Sequence, residues 1–237
     1  MFKVRNLEKP VLGQEYKEFI VEQKPKSIES EAYKTLRTDI QYISFNKQLK
    51  TILITSSEKE EGKSTISGNL ALSFAQNDKK IILLDCDFRR ASIHKKFKIP
   101  NLIGLSEILI GEKSLKETVQ QYNDNLDILS SGKIPANPSE MLASNAMTNL
   151  IEKLKEKYDM VILDSASLQA FTDAQILATK VDGTIIVVRA ERTKKESIIE
   201  AKNRLDKVGA NIIGTVLNAV RDDREKYYYW WKWFYFF

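Results

Sequence analysis

Six short apolar runs punctuate this chain: KTILITS (50–56), KIILLDCD (80–87), LDILSSG (126–132), DMVILDS (159–165), GTIIVVRA (183–190) and NIIGTVLNAV (211–220). Stretches with helical spacing separate them, at 28–45, 62–78, 114–122, 143–158, 173–181 and 194–209, the last stopped by Gly209. Strands that are apolar almost throughout must be buried on both faces, and strands joined through helices run parallel. The pattern therefore predicts an α/β fold with a mainly parallel central sheet covered by helices on both faces. No internal repeat or long linker divides it, so 28–222 is expected to be one domain. An extended arm over 1–27, with Pro10 and Pro25, would precede it, and an aromatic tail over 223–237 would follow.

The composition allows a well-buried core: 43% of the 237 residues are hydrophobic and 29% charged. A net charge of +5, with acids interleaved, permits an acidic partner or a membrane surface but marks no nucleic-acid site, so no nucleic acid is expected. Cys86 is the only cysteine, which rules out a disulfide framework and fits a reducing compartment. It sits between two acids and is expected to be a small core residue rather than a nucleophile. MFKVRNLEKP lacks an apolar signal core, and no stretch approaches the roughly 20 apolar residues of a spanning helix. A role at a membrane would need a separate anchor.

The first strand runs into SSEKEEGKST (56–65), which opens a helix. A strand, a turn ending in Gly62-Lys63-Ser64-Thr65 and a helix form the layout of a phosphate loop, narrowing the class to P-loop NTPases. Backbone N–H groups and the helix N-terminus face phosphates, the lysine reaches the β and γ oxygens, and the next hydroxyl ligates Mg²⁺. The first glycine of the usual G-x-x-x-x-G-K-[ST] pattern is replaced by Ser57, and Glu60 and Glu61 precede Gly62. Two later strands end in acids: Asp85 and Asp87 in one, Asp164 in the other. A two-residue period puts Asp85 and Asp87 on one face at the strand's C-terminal end, where open parallel sheets bind ligands. Each aspartate alone could be a helix cap; three beside a phosphate loop suit Mg²⁺ binding, direct or through water.

The segments GKST, LLDCDFRR and VILDS resemble the Walker A, A′ and B motifs of bacterial tyrosine kinases, the kinases of capsule and exopolysaccharide synthesis. EAYKTLRTDI (31–40), GLSEILIG (104–111), LDILSSGKIPANPSEMLAS (126–144), FTDAQILATKVDGTIIVVRAERT (171–193) and GTVLNAV (214–220) follow the family in order. The likeness spans roughly 28–220 plus a tyrosine-bearing tail. It implies an ATP-dependent protein-tyrosine kinase with ATP and Mg²⁺ as cofactors. By that resemblance Lys63 clamps the phosphates, with Ser57, Glu61, Gly62, Ser64, Thr65 and Asn218 around the nucleotide and Asn218 near adenine. Ser64, Asp87 and Asp164 hold Mg²⁺ or its waters. Asp85 is the candidate base for the tyrosine hydroxyl, with Asp87 beside it. Arg89 and Arg90 are candidates to meet phosphate or a neighbouring subunit. Glu31, Lys34 and Arg37 match an oligomerisation helix and imply a homo-oligomeric ring; taken without the family, they form a solvated charged face.

The chain departs from the family in three places. Lys59-Glu60 replaces Pro-Gly, which removes freedom from a loop that needs φ > 0 and introduces a charge able to repel phosphate. Ser165-Ala166-Ser167 replaces Thr-Pro-Pro. Lys34 replaces an arginine, with a loss of bidentate pairing. The only histidine, His94, is expected to be structural.

The tail, YYYWWKWFYFF, is explained by the resemblance as an autophosphorylation cluster with Tyr227, Tyr228, Tyr229 and Tyr235 as acceptors. Its Trp and Phe content also suits a membrane interface or plain packing. The resemblance further implies cytoplasmic location at the inner face of the plasma membrane. It also implies a membrane-embedded activator that regulates chain length in polysaccharide export, and a cognate tyrosine phosphatase. Two other readings stay open: an ATP-binding switch or scaffold of the same assembly, and a partitioning-type P-loop ATPase.

Overall fold

The structure, a computed structural model, describes residues 2–4, 19–47 and 49–220. In chain order its elements are β1 (Phe2–Val4), α1 (Ile20–Gln23), α2 (Ile28–Lys47), β2 (Thr51–Ser56), α3 (Lys63–Ala75), β3 (Ile81–Asp85), α4 (Ile93–Phe97), α5 (Leu105–Leu109) and α6 (Leu115–Thr118). Then come β4 (Gln120–Asn123), β5 (Leu126–Leu129), α7 (Pro138–Ala143), α8 (Asn145–Lys157), β6 (Met160–Asp164), α9 (Asp173–Ala178), β7 (Gly183–Arg189), α10 (Lys195–Asp206) and β8 (Ile212–Asn218). The strands form one sheet in the order β1-β8-β7-β2-β6-β3-β5-β4. Every pairing is parallel except β4 with β5.

Alternation along the strands divides the core in two. Ile52 and Ile54, Ile81 and Leu83, Ile185 and Val187 face a layer that includes Leu36 and Ile40 of α2 and Ile66 and Leu70 of α3. Leu53, Ile82, Leu84, Ile186 and Val188 face the other layer, with Ile151 of α8, Leu177 of α9 and Leu205 of α10. Helices thus cover both faces, as the continuous apolar runs require. Because both faces are apolar, a one-residue slip would still bury apolar side chains, so the pattern alone fixes register weakly. The observed register sets Asp85 of β3 directly beside Asp164 of β6. Two buried carboxylates side by side are costly, and that cost marks the C-terminal edge of the sheet as a site.

The structure corrects three local expectations. The segment read as an extended arm contributes an edge strand, Phe2–Val4, parallel to β8, and a helical turn, Ile20–Gln23. Phe19, Ile20 and Val21 are buried, and a Cβ on Gly68 of α3 would lie 2.2 Å from the Phe19 ring. Three apolar residues in a polar stretch have enough area to dock on a helix that exposes a glycine. The helix expected over 114–122 stops at Thr118, and Gln120–Asn123 pairs antiparallel with β5. Tyr122 packs edge-on against Phe97 at 4.9 Å, which holds the edge strand down. Finally, β3 ends at Asp85, so the two-residue period does not carry to Asp87, which lies in the following turn. The expected tail over 223–237, and Tyr227, Tyr228, Tyr229 and Tyr235 with it, lies outside the described residues.

Candidate active site

β2 delivers the chain into a loop over 57–62 that closes on α3. Gly62 stands at φ 95°, and a Cβ there would lie 2.0 Å from Asn218 Nδ2, so both the backbone and the space demand glycine. Asn218, at the end of β8, donates through Nδ2 to the Glu61 carbonyl at 2.8 Å. Its carboxamide therefore braces the loop from below. The Glu61 carboxylate is buried and accepts from Ser57 Oγ at 3.0 Å, from Glu58 N at 2.9 Å and from Thr193 Oγ1. Glu58 accepts from Ser197 Oγ at 2.7 Å. Glu60 occupies the left-handed region at φ 62°, the strain expected from the lost glycine. Its carboxylate meets Arg192 Nη2 at 3.3 Å and its carbonyl accepts from Arg189 Nη1 at 3.1 Å. All three loop glutamates are thus tied within the loop or to the segment that follows β7.

The aspartates come from the other side. Ser64 Oγ donates to Asp164 Oδ2 at 2.6 Å, Ser67 Oγ to Oδ1 at 2.9 Å, and Ser92 Oγ to Ser64 Oγ at 2.7 Å. Burial pushes the Asp164 carboxyl up to about 6, against the pull of Lys63 and the two serine hydroxyls. Burial pushes Asp85 well above the usual carboxylate range too, with the Asp164 charge adding to it. Asp85 Oδ2 accepts backbone N–H bonds from Ser92 and Ile93, both at 3.0 Å, so it fastens the start of α4. Asp87 is partly exposed and caps its own turn, accepting from Arg90 N at 2.9 Å.

A cleft of about 200 Å³ opens here, and from the loop and the start of α3 Lys59, Glu60, Gly62, Lys63, Ser64 and Thr65 line it. Asp87, Arg90, Ser92 and Phe171 line it as well. Of the three aspartates only Asp87 reaches it; Asp164 stands behind Ser64 and Asp85 is sealed beneath the turn. The expectation that Asp85 faces an acceptor therefore does not match its place in the fold. Ser57, Glu61 and Asn218 hold the loop and do not line the cleft. On α2, Glu31 pairs with Lys34 at 2.7 Å, while Arg37 Nη1 donates to the chain's own Ser73 carbonyl at 2.6 Å. Sequence reasoning missed Ser67 and Ser92, which carry no motif signal. It also missed a latch in which Arg89 Nε bonds Asp173 Oδ2 at 2.9 Å and Ser139 Oγ bonds Asp173 Oδ1 at 2.6 Å. Arg89, a candidate for phosphate or a neighbouring subunit, thus pairs inside the chain.

The donors suit a hard cation. Among the described residues no three acidic, histidine or cysteine side chains form a cage of their own. Ser64 instead lines the cleft with Asp164 hydrogen-bonded behind it, a compact pair of oxygen donors. Mg²⁺ fits that arrangement, because it keeps waters and takes one or two carboxylates together with substrate phosphates.

A family model described as an AAA domain matches residues 49–215. A tyrosine-protein kinase of Bacillus subtilis, YwqD, is 40% identical over 205 residues, 86% of each chain. A Klebsiella pneumoniae protein named a putative tyrosine-protein kinase in the cps region is 32% identical over 205 residues, covering 86% of this chain and 28% of that one. The solved kinase domain of the Escherichia coli tyrosine kinase ETK superposes with a TM-score of 0.88 at 28% identity, over 94% of this chain and 90% of that one.

Proposed function

Because the chain belongs to the bacterial tyrosine-protein kinase family and is a protein-tyrosine kinase, we propose that it phosphorylates its own C-terminal tyrosines to regulate polysaccharide export. The acceptors are Tyr227, Tyr228, Tyr229 and Tyr235, and the donor is ATP with Mg²⁺. The observation that carries this reading is the placing of Lys63, Ser64 and Asp87 around one cleft.

The N–H groups at the start of α3 and the Lys63 ammonium hold the β and γ phosphates. The tyrosine Oη attacks the γ-phosphorus as the bond to the β,γ-bridging oxygen breaks, releasing ADP. Asp87 accepts the hydroxyl proton, a role assigned to it rather than to Asp85 because Asp87 lines the cleft. Asp85 fixes the turn that carries Asp87. Ser64 and Asp164 would hold Mg²⁺, directly or through its waters, and the ion would supply neutralisation of the phosphate charge.

The regulatory setting follows from the family resemblance and from the cps-region name of the Klebsiella relative. No helix among the described residues is long and apolar enough to cross a membrane. The kinase acts in the cytoplasm, recruited to the inner face of the plasma membrane by a membrane-embedded activator. A tyrosine phosphatase resets it. Subunits assemble as a ring through α2, where Glu31 and Lys34 remain at the surface. Each phosphate adds roughly 1.5–2 negative charges to the tail and loosens those contacts.

The test is phosphosite mapping after incubation with ATP, Mg²⁺ and the activator's cytosolic segment, beside Lys63→Met. Phosphate on the tail tyrosines of the unaltered protein alone is expected. Phosphate confined to sites outside the tail would overturn the autophosphorylation reading.

A further inference from the structure

We propose that Phe171 is the wall of an acceptor subsite, receiving the ring of the tyrosine to be phosphorylated on the Asp87 side of the cleft. This rests on the kinase reading above and adds the residue that selects an aromatic acceptor.

The cleft is otherwise lined largely by charged and hydroxyl side chains, including Lys63, Ser64, Asp87 and Arg90. Phe171 adds an aromatic ring to that lining, and the ring has no hydrogen bond to offer a phosphate. Apolar surface beside a carboxylate is what a phenol requires: a place for the ring, and an acceptor for the hydroxyl proton. Phe171 and Asp87 supply the two.

The topology separates this wall from the nucleoside end. Phe171 follows β6 and Asp87 follows β3, and both strands lie on the same side of β2, whose loop holds the phosphates. Asn218, the residue expected near adenine, ends β8 on the opposite side. A ring bound against Phe171 therefore approaches the loop from the acceptor side.

The wall is also fixed in place. The Arg89 guanidinium stacks on the Phe171 ring at 3.9 Å from its centroid. Arg89 is in turn held by Asp173, which is fully buried, and by Ser139 Oγ at 3.2 Å. Arg89 belongs to the same turn as Asp87, so one latch positions both the acid and the ring. Preorganisation of this kind favours an acceptor that fits the wall over serine or threonine, whose side chains cannot fill it.

The experiment measures steady-state phosphorylation of a peptide copying residues 221–229 by the full chain, and by Phe171→Ala and Phe171→Leu. Alongside, the Kd for Mg²⁺-ADP and the binding of the labelled peptide by fluorescence anisotropy are recorded. Aromatic contacts of this size correspond to roughly a three- to tenfold effect. The expected result is a peptide KM raised by about that factor in Phe171→Ala, less in Phe171→Leu, with nucleotide Kd unchanged. An unchanged peptide KM would overturn the subsite. So would a parallel loss of nucleotide affinity, which would put the ring against the nucleotide. If the unaltered protein binds the peptide without phosphorylating it, the tail-acceptor reading fails. The subsite then stands or falls on whether Phe171→Ala weakens peptide binding.

Discussion

Six acidic side chains crowd the phosphate loop, and the two flanks treat them in opposite ways. On the β7–β8 flank, Glu58, Glu60 and Glu61 are tied to Ser197, to Arg192 and to Ser57 with Thr193, and the exposed Glu60 also lines the cleft. On the β6–β3 flank, Asp164 is bonded to the loop serines, Asp85 is locked under a turn, and Asp87 stands in the cleft. Hydrogen bonds commit Glu58, Glu61, Asp85 and Asp164 to the loop and its supports, while Asp87 and Glu60 line the cleft. Proximity to the loop in sequence is therefore a poor guide to function here; the direction of the hydrogen bonds decides it.

The largest effect expected from breaking this division comes from Lys63→Met. It removes the cation facing the aspartate flank and should lower phosphoryl transfer on the order of 1,000-fold. Rapid-quench kinetics will show it, and a change below tenfold would mean another group holds the phosphates.

The aspartate flank also predicts a pH dependence. The folded carboxyl of Asp164 titrates near 6, above its unfolded value, so its protonated form is the one the fold favours. Stability is fully present below the unfolded pKa and is lost as pH rises through about 6, by on the order of 2–3 kcal/mol. Thermal melts of protein free of nucleotide and Mg²⁺ should fall between about pH 4 and pH 6. In Asp164→Asn that fall should be smaller; an equal slope in the two proteins would place the titration elsewhere.

On the glutamate flank, Glu61→Ala leaves Ser57, Glu58 N and Thr193 without their acceptor. It should cost about 1–3 kcal/mol in urea unfolding. No loss of stability would mean that the buried carboxylate is not the brace of the loop. The smallest effect is expected from Glu60→Gly, which relieves a left-handed φ and removes an exposed ion pair of little worth. A gain of up to about 1 kcal/mol is expected, with ATP affinity unchanged. A marked gain in affinity would show that Glu60 does face the phosphates.

Much of this was legible in the sequence, for identifiable reasons. Apolar runs between helical stretches forced a parallel sheet buried on both faces, and Gly62-Lys63-Ser64 between strand and helix marked its nucleotide edge. The strain at position 60 was readable because a glycine was missing where the loop turns. Other features left no local trace. Phe19 docks on Gly68 from 49 positions away in the chain, a contact that spacing does not encode. Asp85 and Asp87 read as a pair on one strand face, but the strand ends between them, and only the turn shows which acid reaches the cleft. Arg89 read as a residue for phosphate or a neighbouring subunit, because its partner within the chain, Asp173, sits 84 residues on. Side-chain partners distant in sequence decide the roles of residues that look alike along it.

The most direct test of the division between the flanks is the single-turnover rate of tyrosine phosphorylation in three proteins: unaltered, Asp87→Asn and Glu60→Gln. Asp87→Asn is expected to slow the step at least 100-fold, while Glu60→Gln matches the unaltered protein. A rate for Asp87→Asn within a few-fold of the unaltered protein, or a faster Glu60→Gln, would contradict the account.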